Sequence, residues 1–424
     1  MRVWAFIAVV GLVGAACAHS PARGMDRVAR MRTFEAVWSR VRDKHYDPKL
    51  NGVDWGRVKR EYAPRMRQTR SDKEFYALLE RMLGELKQSH FQVFPPDAAQ
   101  FEPDEMSGEW GEPGVVIQLV EGRPLVTEVA KGSPAEKGGI RTGFAVTAIR
   151  GKSLAAVLTR LKALHRRDVD LRTTFLMETM RLLYGPLERK VGIRFLNGDD
   201  RPGAVEVGRK RFGGELVELG EMPPMYAEME SRRLEGGIGY VRFNVFMMPL
   251  LGRIRDAIAS MRDAPGIVLD MRRNPGGVGM MATPIAGMFV DKQISLGTMK
   301  MREGEMYFPV FPVAKPYKGP VAILTDELSA STSEIMAAGM QEAGRAVVVG
   351  RPTPGMALPS VVERLPGGVR LQYAVADFRT PKGKLLEGRG VIPDIPVELR
   401  RTDLLAGKDP ILEAAVAHIR GRNP

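Results

Sequence analysis

Short apolar runs that end in turns of serine, glycine or asparagine dominate the second half of the chain. Val321 to Thr325 is one such run, and the Ala- and Met-containing stretch Glu334 to Gln341 beyond it predicts a helix. Between them lies Leu328-Ser329-Ala330-Ser331-Thr332-Ser333-Glu334-Ile335. A second run, Gly266 to Asp270, leads into Met271-Arg272-Arg273-Asn274-Pro275-Gly276-Gly277. The first half carries different periods. Phe75, Leu78, Leu79, Met82, Leu83 and Leu86 recur at helical spacing and predict an amphipathic helix ending shortly before Gln88-Ser89-His90. Gly114 to Gln118 and Leu125 to Val129 predict strands, followed by a turn and short helix over Gly132 to Gly143. Strand and helix signals continue from Leu154 to Val207, with a helix around Asp170 to Leu183, and one more amphipathic helix follows Arg401.

These turns can carry chemistry. A hydroxyl between a strand and a helix lies near the free N–H groups of the helix start, where developing negative charge is favoured. Ser-x-x-Glu is equally the pattern of a capping box, so this turn by itself does not distinguish a nucleophile from an N-cap. Gly276 and Gly277 lack a Cβ and let backbone N–H groups approach a reacting atom, as an oxyanion hole requires, or they serve a plain strand-to-helix turn.

Together the two turns resemble the D-L-R-x-N-x-G-G and S-A-S-A-S-E signatures of the C-terminal processing (tail-specific) serine proteases. Gly344 to Thr353 is similar to that family's next strand and turn, and Gly390-Val391-Ile392-Pro393-Asp394 to its closing G-V-x-P-D; the likeness runs from about Ile238 to Val397. The resemblance implies a serine-type peptidase with Ser331 as nucleophile. It also implies an oxyanion hole from the N–H of Thr332 and that of Gly277, with Gly276 beside it. Asp270, Arg272 and Asn274 are then read as shaping the loop.

The best-known branch of that family uses a lysine as general base, and the matching position here is Met356. A thioether takes no proton at neutral pH, and Lys382 and Lys384 are weak substitutes. Of the five histidines, His19 falls in the export region and His418 in the tail. His45 suits packing or capping, and His165 stands in the basic run Lys162 to Arg167, read as a solvated face. His90 remains. The pair Ser89-His90 resembles the tricorn core protease, in which a histidine from an N-terminal segment reaches the nucleophile and a glutamate before G-V-x-P-D orients it. That likeness implies His90 as base, Glu387 as its orienting carboxylate and Ser89 as an assisting group.

Gly132-Ser133-Pro134-Ala135-Glu136-Lys137-Gly138-Gly139-Ile140-Arg141-Thr142-Gly143 and the strands before it resemble a PDZ domain. The likeness implies peptide capture by strand addition, with Gly114, Val115 and Val116 at the binding strand. Phe144-Ala145 stand where Asp is usual, so a packing or regulatory module is the competing reading.

Length and composition, 424 residues with 44% hydrophobic, fit a multi-domain protein of two or three domains, and the resemblance implies the α/β class. The net charge of +13 is spread along the chain without a nucleic-acid motif, and suits a solvated surface near anionic lipid. No metal-ligand cluster, phosphate loop or other cofactor motif stands out, so no cofactor or metal is expected. Val3 to Ala16 after Arg2 is too short to span a bilayer and has the form of an export signal. Gly14-Ala15-Ala16-Cys17 resembles a lipobox, which implies an exported protein, membrane-anchored through a lipid on Cys17 or periplasmic; a plain signal-peptidase site is the alternative. The expected architecture is an export signal over 1–17, an N-terminal helical domain over 25–96, a PDZ-like β-rich domain over 111–208, a ββα-spiral, ClpP/crotonase-like protease core over 217–400 and a helical tail over 401–424. The expected substrates are proteins or peptides of the envelope. A catalytically inactive binding or scaffold protein is the alternative class.

Overall fold

The computed structural model describes residues 25–95, 109–165 and 167–421. The export run and Cys17 lie outside the described residues.

The N-terminal part is built on helices Arg27–Lys44, Trp55–Arg67 and Asp72–Leu83. Each starts at a residue suited to the task. Asp26, Asp54 and Ser71 accept from backbone N–H groups of their first turns. Trp38 and Trp55 lock the first two helices by exchanging indole-to-carbonyl hydrogen bonds of 2.9 and 3.0 Å. This unit does not close on itself. Strand Gln92–Phe94 pairs antiparallel with Arg370–Ala374, and Phe75, Leu79 and Met82 share one core with Leu371 and Tyr373. The expected helical domain is therefore completed by the C-terminal third of the chain.

The middle part carries an antiparallel sheet ordered Val115–Val120, Arg123–Val129, Ala145–Ile149, Val191–Leu196, Pro202–Val207, with the short strand Lys152–Ser153 beside Ala145–Ile149. Helix Asp168–Leu183 lies against the first strand, where Thr179 Oγ1 donates to Ile117 O at 3.1 Å.

The third part is a six-stranded sheet ordered Met229–Arg233, Gly239–Phe243, Ile267–Asp270, Val321–Thr325, Val347–Gly350, Ile395–Pro396, parallel except for its first strand. Its inner strands are continuous apolar runs because both faces are covered. Successive side chains alternate between faces. Val241, Phe243, Ile267, Leu269 and Ile323 meet helices Met248–Ser260, Ala282–Gly287 and Thr332–Glu342. Tyr240, Val268, Leu324 and Val349 instead meet helix Pro410–Gly421 together with Val120 and Leu125 of the middle sheet. The tail is thus part of this layer: Ile411, Ala415 and Ile419 are buried, and a short helix Arg401–Leu405 precedes them.

Candidate active site

Strands Ile267–Asp270, Val321–Thr325 and Val347–Gly350 are parallel neighbours, so the loops that follow them leave one edge of the sheet together. Ligand sites of open α/β sheets form at this edge. The loops bring together Gly276-Gly277, Ser331 and the Pro354–Ala357 stretch.

The three serines of the turn have different fates. Ser329 is fully buried; its hydroxyl donates to Met271 O at 2.8 Å and accepts from Asp326 N at 2.9 Å. Ser333 is buried as well and donates to Asn274 O at 2.8 Å. Both bolt the turn to the glycine loop. Ser331 is only partly buried and stands just before helix Thr332–Glu342 with φ 55° and ψ −117°. An ordinary N-cap sits in the extended region, so capping does not require this conformation, and a positive φ at a serine stores strain of the kind concentrated at reactive positions.

Gly276 makes that approach possible. A Cβ there would lie 2.7 Å from Ser331 Cβ and 2.8 Å from Thr332 N. Its own N–H is committed to Asn274 Oδ1 at 3.0 Å, so its contribution is space. Gly277 is exposed at φ 133°, held against Phe246. The N–H groups of Gly277 and Thr332 have no acceptor among the described residues, while Thr332 Oγ1 donates to Gly277 O at 3.0 Å and keeps the two chains in register. The loop beneath is charged and rigid. Arg272 bridges Asp270 and Asp409 with hydrogen bonds of 2.6 to 3.1 Å. Burial alone would raise the Asp270 carboxyl, but the Arg272 guanidinium holds it well below the usual range.

His90 follows the N-terminal helices at φ 60°. Its Nδ1 lies 2.7 Å from Ser89 Oγ, which donates to Glu387 Oε2 at 2.8 Å; Glu387 Oε1 accepts from Ser89 N at 2.7 Å. Glu387 therefore reaches His90 through the Ser89 hydroxyl, the residue expected from sequence only to assist. The single hydroxyl proton of Ser89 goes to the carboxylate, so Ser89 can only accept from Nδ1–H. That leaves the Nε2 lone pair free. Burial lowers the imidazole to about 4 and raises Glu387 to about 7, against the Ser89 and Ala357 hydrogen bonds and Arg167.

One peptide group joins the halves of the site. Met356 O accepts from Ser331 N at 2.9 Å, and the adjoining Ala357 N donates to Glu387 Oε2 at 3.1 Å. Met356 stands where the related branch has its base and contributes backbone. Lys382 and Lys384 are exposed, and both hold Glu342 at the far end of the serine helix, about 15 Å from Ser331 at 1.5 Å per residue. His45 both packs and caps: its N–H bonds Val41 O, and its ring holds Gln88 at 2.8 Å and stacks on Phe91. Arg167, read from sequence as part of a solvated face, donates to the carbonyls of Pro354 and Gly388 on either side of this network. Among the described residues no cluster suited to a metal ion occurs.

This fold and site define a serine-type peptidase. Residues 237–397 match peptidase family S41 and residues 27–84 match the tricorn protease C1 domain; the chain carries both. It is 25% identical over 366 residues to the carboxyl-terminal-processing protease of Synechocystis sp., covering 85% of this chain and 79% of that protein. It is 26% identical to a probable CtpA-like serine protease of Staphylococcus aureus over 77% of this chain, and spans 61% of that relative's length. The fold is that of the photosystem II D1 C-terminal processing protease, with a TM-score of 0.57 at 20% identity over 90% of this chain and 98% of the other.

Proposed function

We propose that the chain hydrolyses peptide bonds through an acyl-enzyme on Ser331, with His90 as base, the Ser89 hydroxyl as relay and Glu387 as the relay's carboxylate. The observation that carries this reading is the directional chain Glu387–Ser89–His90 Nδ1, which leaves Nε2 as the proton acceptor. His90 takes the Ser331 hydroxyl proton as Oγ attacks the substrate carbonyl carbon. The N–H groups of Gly277 and Thr332 receive the oxyanion. As the tetrahedral adduct collapses, the imidazolium returns its proton to the leaving amine, and water repeats the sequence to release the acyl group. A lowered imidazole is neutral at pH 7 and ready to accept. Its weak intrinsic basicity is offset when Glu387, acting through Ser89, stabilises the imidazolium.

The same reading divides the chain into a PDZ-like unit over 111–208 and a spiral protease core over 217–400. Peptide capture falls to the start of the binding strand, Gly114 to Val116, with Val115 and Val116 carrying it: Gly114 O already accepts from Ala130 N and Ser133 Oγ, and Ile117 O and Leu119 O from Thr179 and Arg351. The substrates are proteins or peptides cut near their C-termini, met outside the cytoplasm after export through the N-terminal signal. Among the described residues no helix is long and apolar enough to cross a membrane.

A fluorophosphonate probe tests the assignment. Its label should map to Ser331, vanish in Ser331→Ala and form far more slowly in His90→Ala. Peptide hydrolysis persisting in Ser331→Ala would overturn it.

A further inference from the structure

Beneath the serine turn lies a carboxylate that the relay does not use. Glu334 is completely buried, and both of its oxygens are doubly occupied. Oε1 accepts from Thr353 Oγ1 at 2.5 Å and Gly355 N at 2.7 Å; Oε2 accepts from Met356 N at 2.9 Å and Ser331 N at 3.0 Å. The sequence explains one of these bonds, the carboxylate half of a capping box. The other three go to a loop about twenty residues downstream, far beyond what a helix cap needs.

From this geometry we infer that Glu334 is a positioning residue of the catalytic site, an internal clamp that holds the Ser331 backbone and the Met356–Ala357 peptide in one fixed relation. Its neighbours carry the argument. Ser331 N–H is shared between Glu334 Oε2 and Met356 O, and Met356 N–H returns to the same oxygen. The Ala357 N–H of that peptide holds Glu387, so the clamp sets the distance between nucleophile and relay. Thr353 extends it by accepting Val391 N at 2.7 Å on the same hydroxyl. Four donors converge on two oxygens, so an amide cannot replace the carboxylate: in either orientation its NH2 meets donors. Burial opposes the charge and raises the carboxyl to about 7, a cost tolerated at this place because Thr353 Oγ1, Gly355 N and Met356 N have their acceptor here, Ser331 N–H alone being shared with Met356 O.

The inference rests on Ser331 as nucleophile, which probe labelling settles separately. Glu334→Gln should lower kcat by 10²- to 10³-fold, change KM by less than threefold and weaken a peptide-aldehyde inhibitor by the same factor as kcat. Fluorophosphonate should still label only Ser331, more slowly. Turnover within fivefold of the parent chain in a folded variant overturns the clamp, as does a loss confined to KM. If Glu334→Gln does not fold, Thr353→Val removes one donor and keeps the charge: a kcat loss of fivefold or more at unchanged KM supports the inference, and unchanged kcat overturns it. Label elsewhere than Ser331 would instead overturn the reading beneath.

Discussion

Replacing Glu387 by glutamine changes one oxygen to an NH2 group at constant volume, and the surrounding hydrogen bonds decide which way the amide can turn. Placed at Oε1, the NH2 faces the Ser89 N–H; placed at Oε2, it faces the Ala357 N–H and Ser89 Oγ. The second placement makes Ser89 an acceptor from the amide, which frees its proton for His90 Nδ1 and moves the imidazole hydrogen to Nε2. The base is then in the wrong tautomer. Loss of a hydrogen bond to a charged acceptor costs roughly 1.5–3 kcal/mol. Removing the charge of a triad aspartate costs about 10⁴ in kcat in the serine proteases that define the template. Here a hydroxyl intervenes, so we expect a loss of 10² to 10³, about 2.7 to 4 kcal/mol of transition-state stabilisation. Steady-state hydrolysis of a fluorogenic peptide reads this directly. KM should hold. The pH profile adds an independent sign: burial raises Glu387 to about 7, so activity should fall as pH drops through that value, and this limb should weaken in Glu387→Gln. A carboxyl whose folded value lies above its unfolded 4.5 binds the extra proton only when folded, so its burial erodes stability as pH rises from 4.5 to 7. The charge penalty relieved in the variant is felt in full only above pH 7, so its melting-temperature deficit should be smaller at pH 8 than at pH 5. Ser89→Ala should cost a similar factor, and the double variant no more than the worse single one. Turnover within fivefold of normal, or additive losses, would refute the relay.

Ser329→Ala should lower the melting temperature, by about 1–3 kcal/mol of stability for the buried Asp326 N–H left unpaired, Met271 O keeping the Asn274 N–H, while the folded fraction keeps turning over; calorimetry beside activity checks this. Gly276→Ala should abolish probe labelling, because its Cβ would stand 2.7 Å from Ser331 Cβ. Lys384→Met should leave kcat unchanged, since that side chain pairs with Glu342 at the far end of the serine helix; a large loss would reopen the search for a lysine base. Arg167→Ala should lower kcat several-fold at little cost in melting temperature, because it releases the Pro354 and Gly388 carbonyls beside Glu387.

The serine turn and the glycine loop were readable because strand, turn and helix are local events with local signals. Ser331 could be singled out from Ser329 only by the motif resemblance; burial gives the physical reason, since two of the three hydroxyls are consumed inside. His90, Ser89 and Glu387 could be named as candidates from the motif resemblance, while the order of the bonds among them could not. No spacing rule reveals that Ser89 stands between His90 and Glu387. Glu334 was visible as a capping residue because that bond is three residues long, while its bonds to Gly355 and Met356 depend on how two loops meet. Arg167 was misread for a similar reason: a basic run predicts solvent, but a long guanidinium arm can reach a carbonyl 221 residues away. The tail helix showed its apolar stripe in sequence; which layer it covers followed only from the alternation of strand faces.

The pairing of Gln92–Phe94 with Arg370–Ala374, and of Ser89 with Glu387 298 residues later, also bears on how the enzyme comes to life. A chain emerging from N- to C-terminus has made His90 and Ser331, the proposed base and nucleophile, well before it has made Glu387 or the strand that seats Gln92–Phe94. Until the last of these arrives, His90 is attached to a helical unit whose core is missing Leu371 and Tyr373. Under the proposed mechanism, completion of the fold would thus act as a safety catch: a C-terminally truncated chain would carry Ser331 without a competent partner, and proteolytic capacity would appear only when both ends of the polypeptide have met.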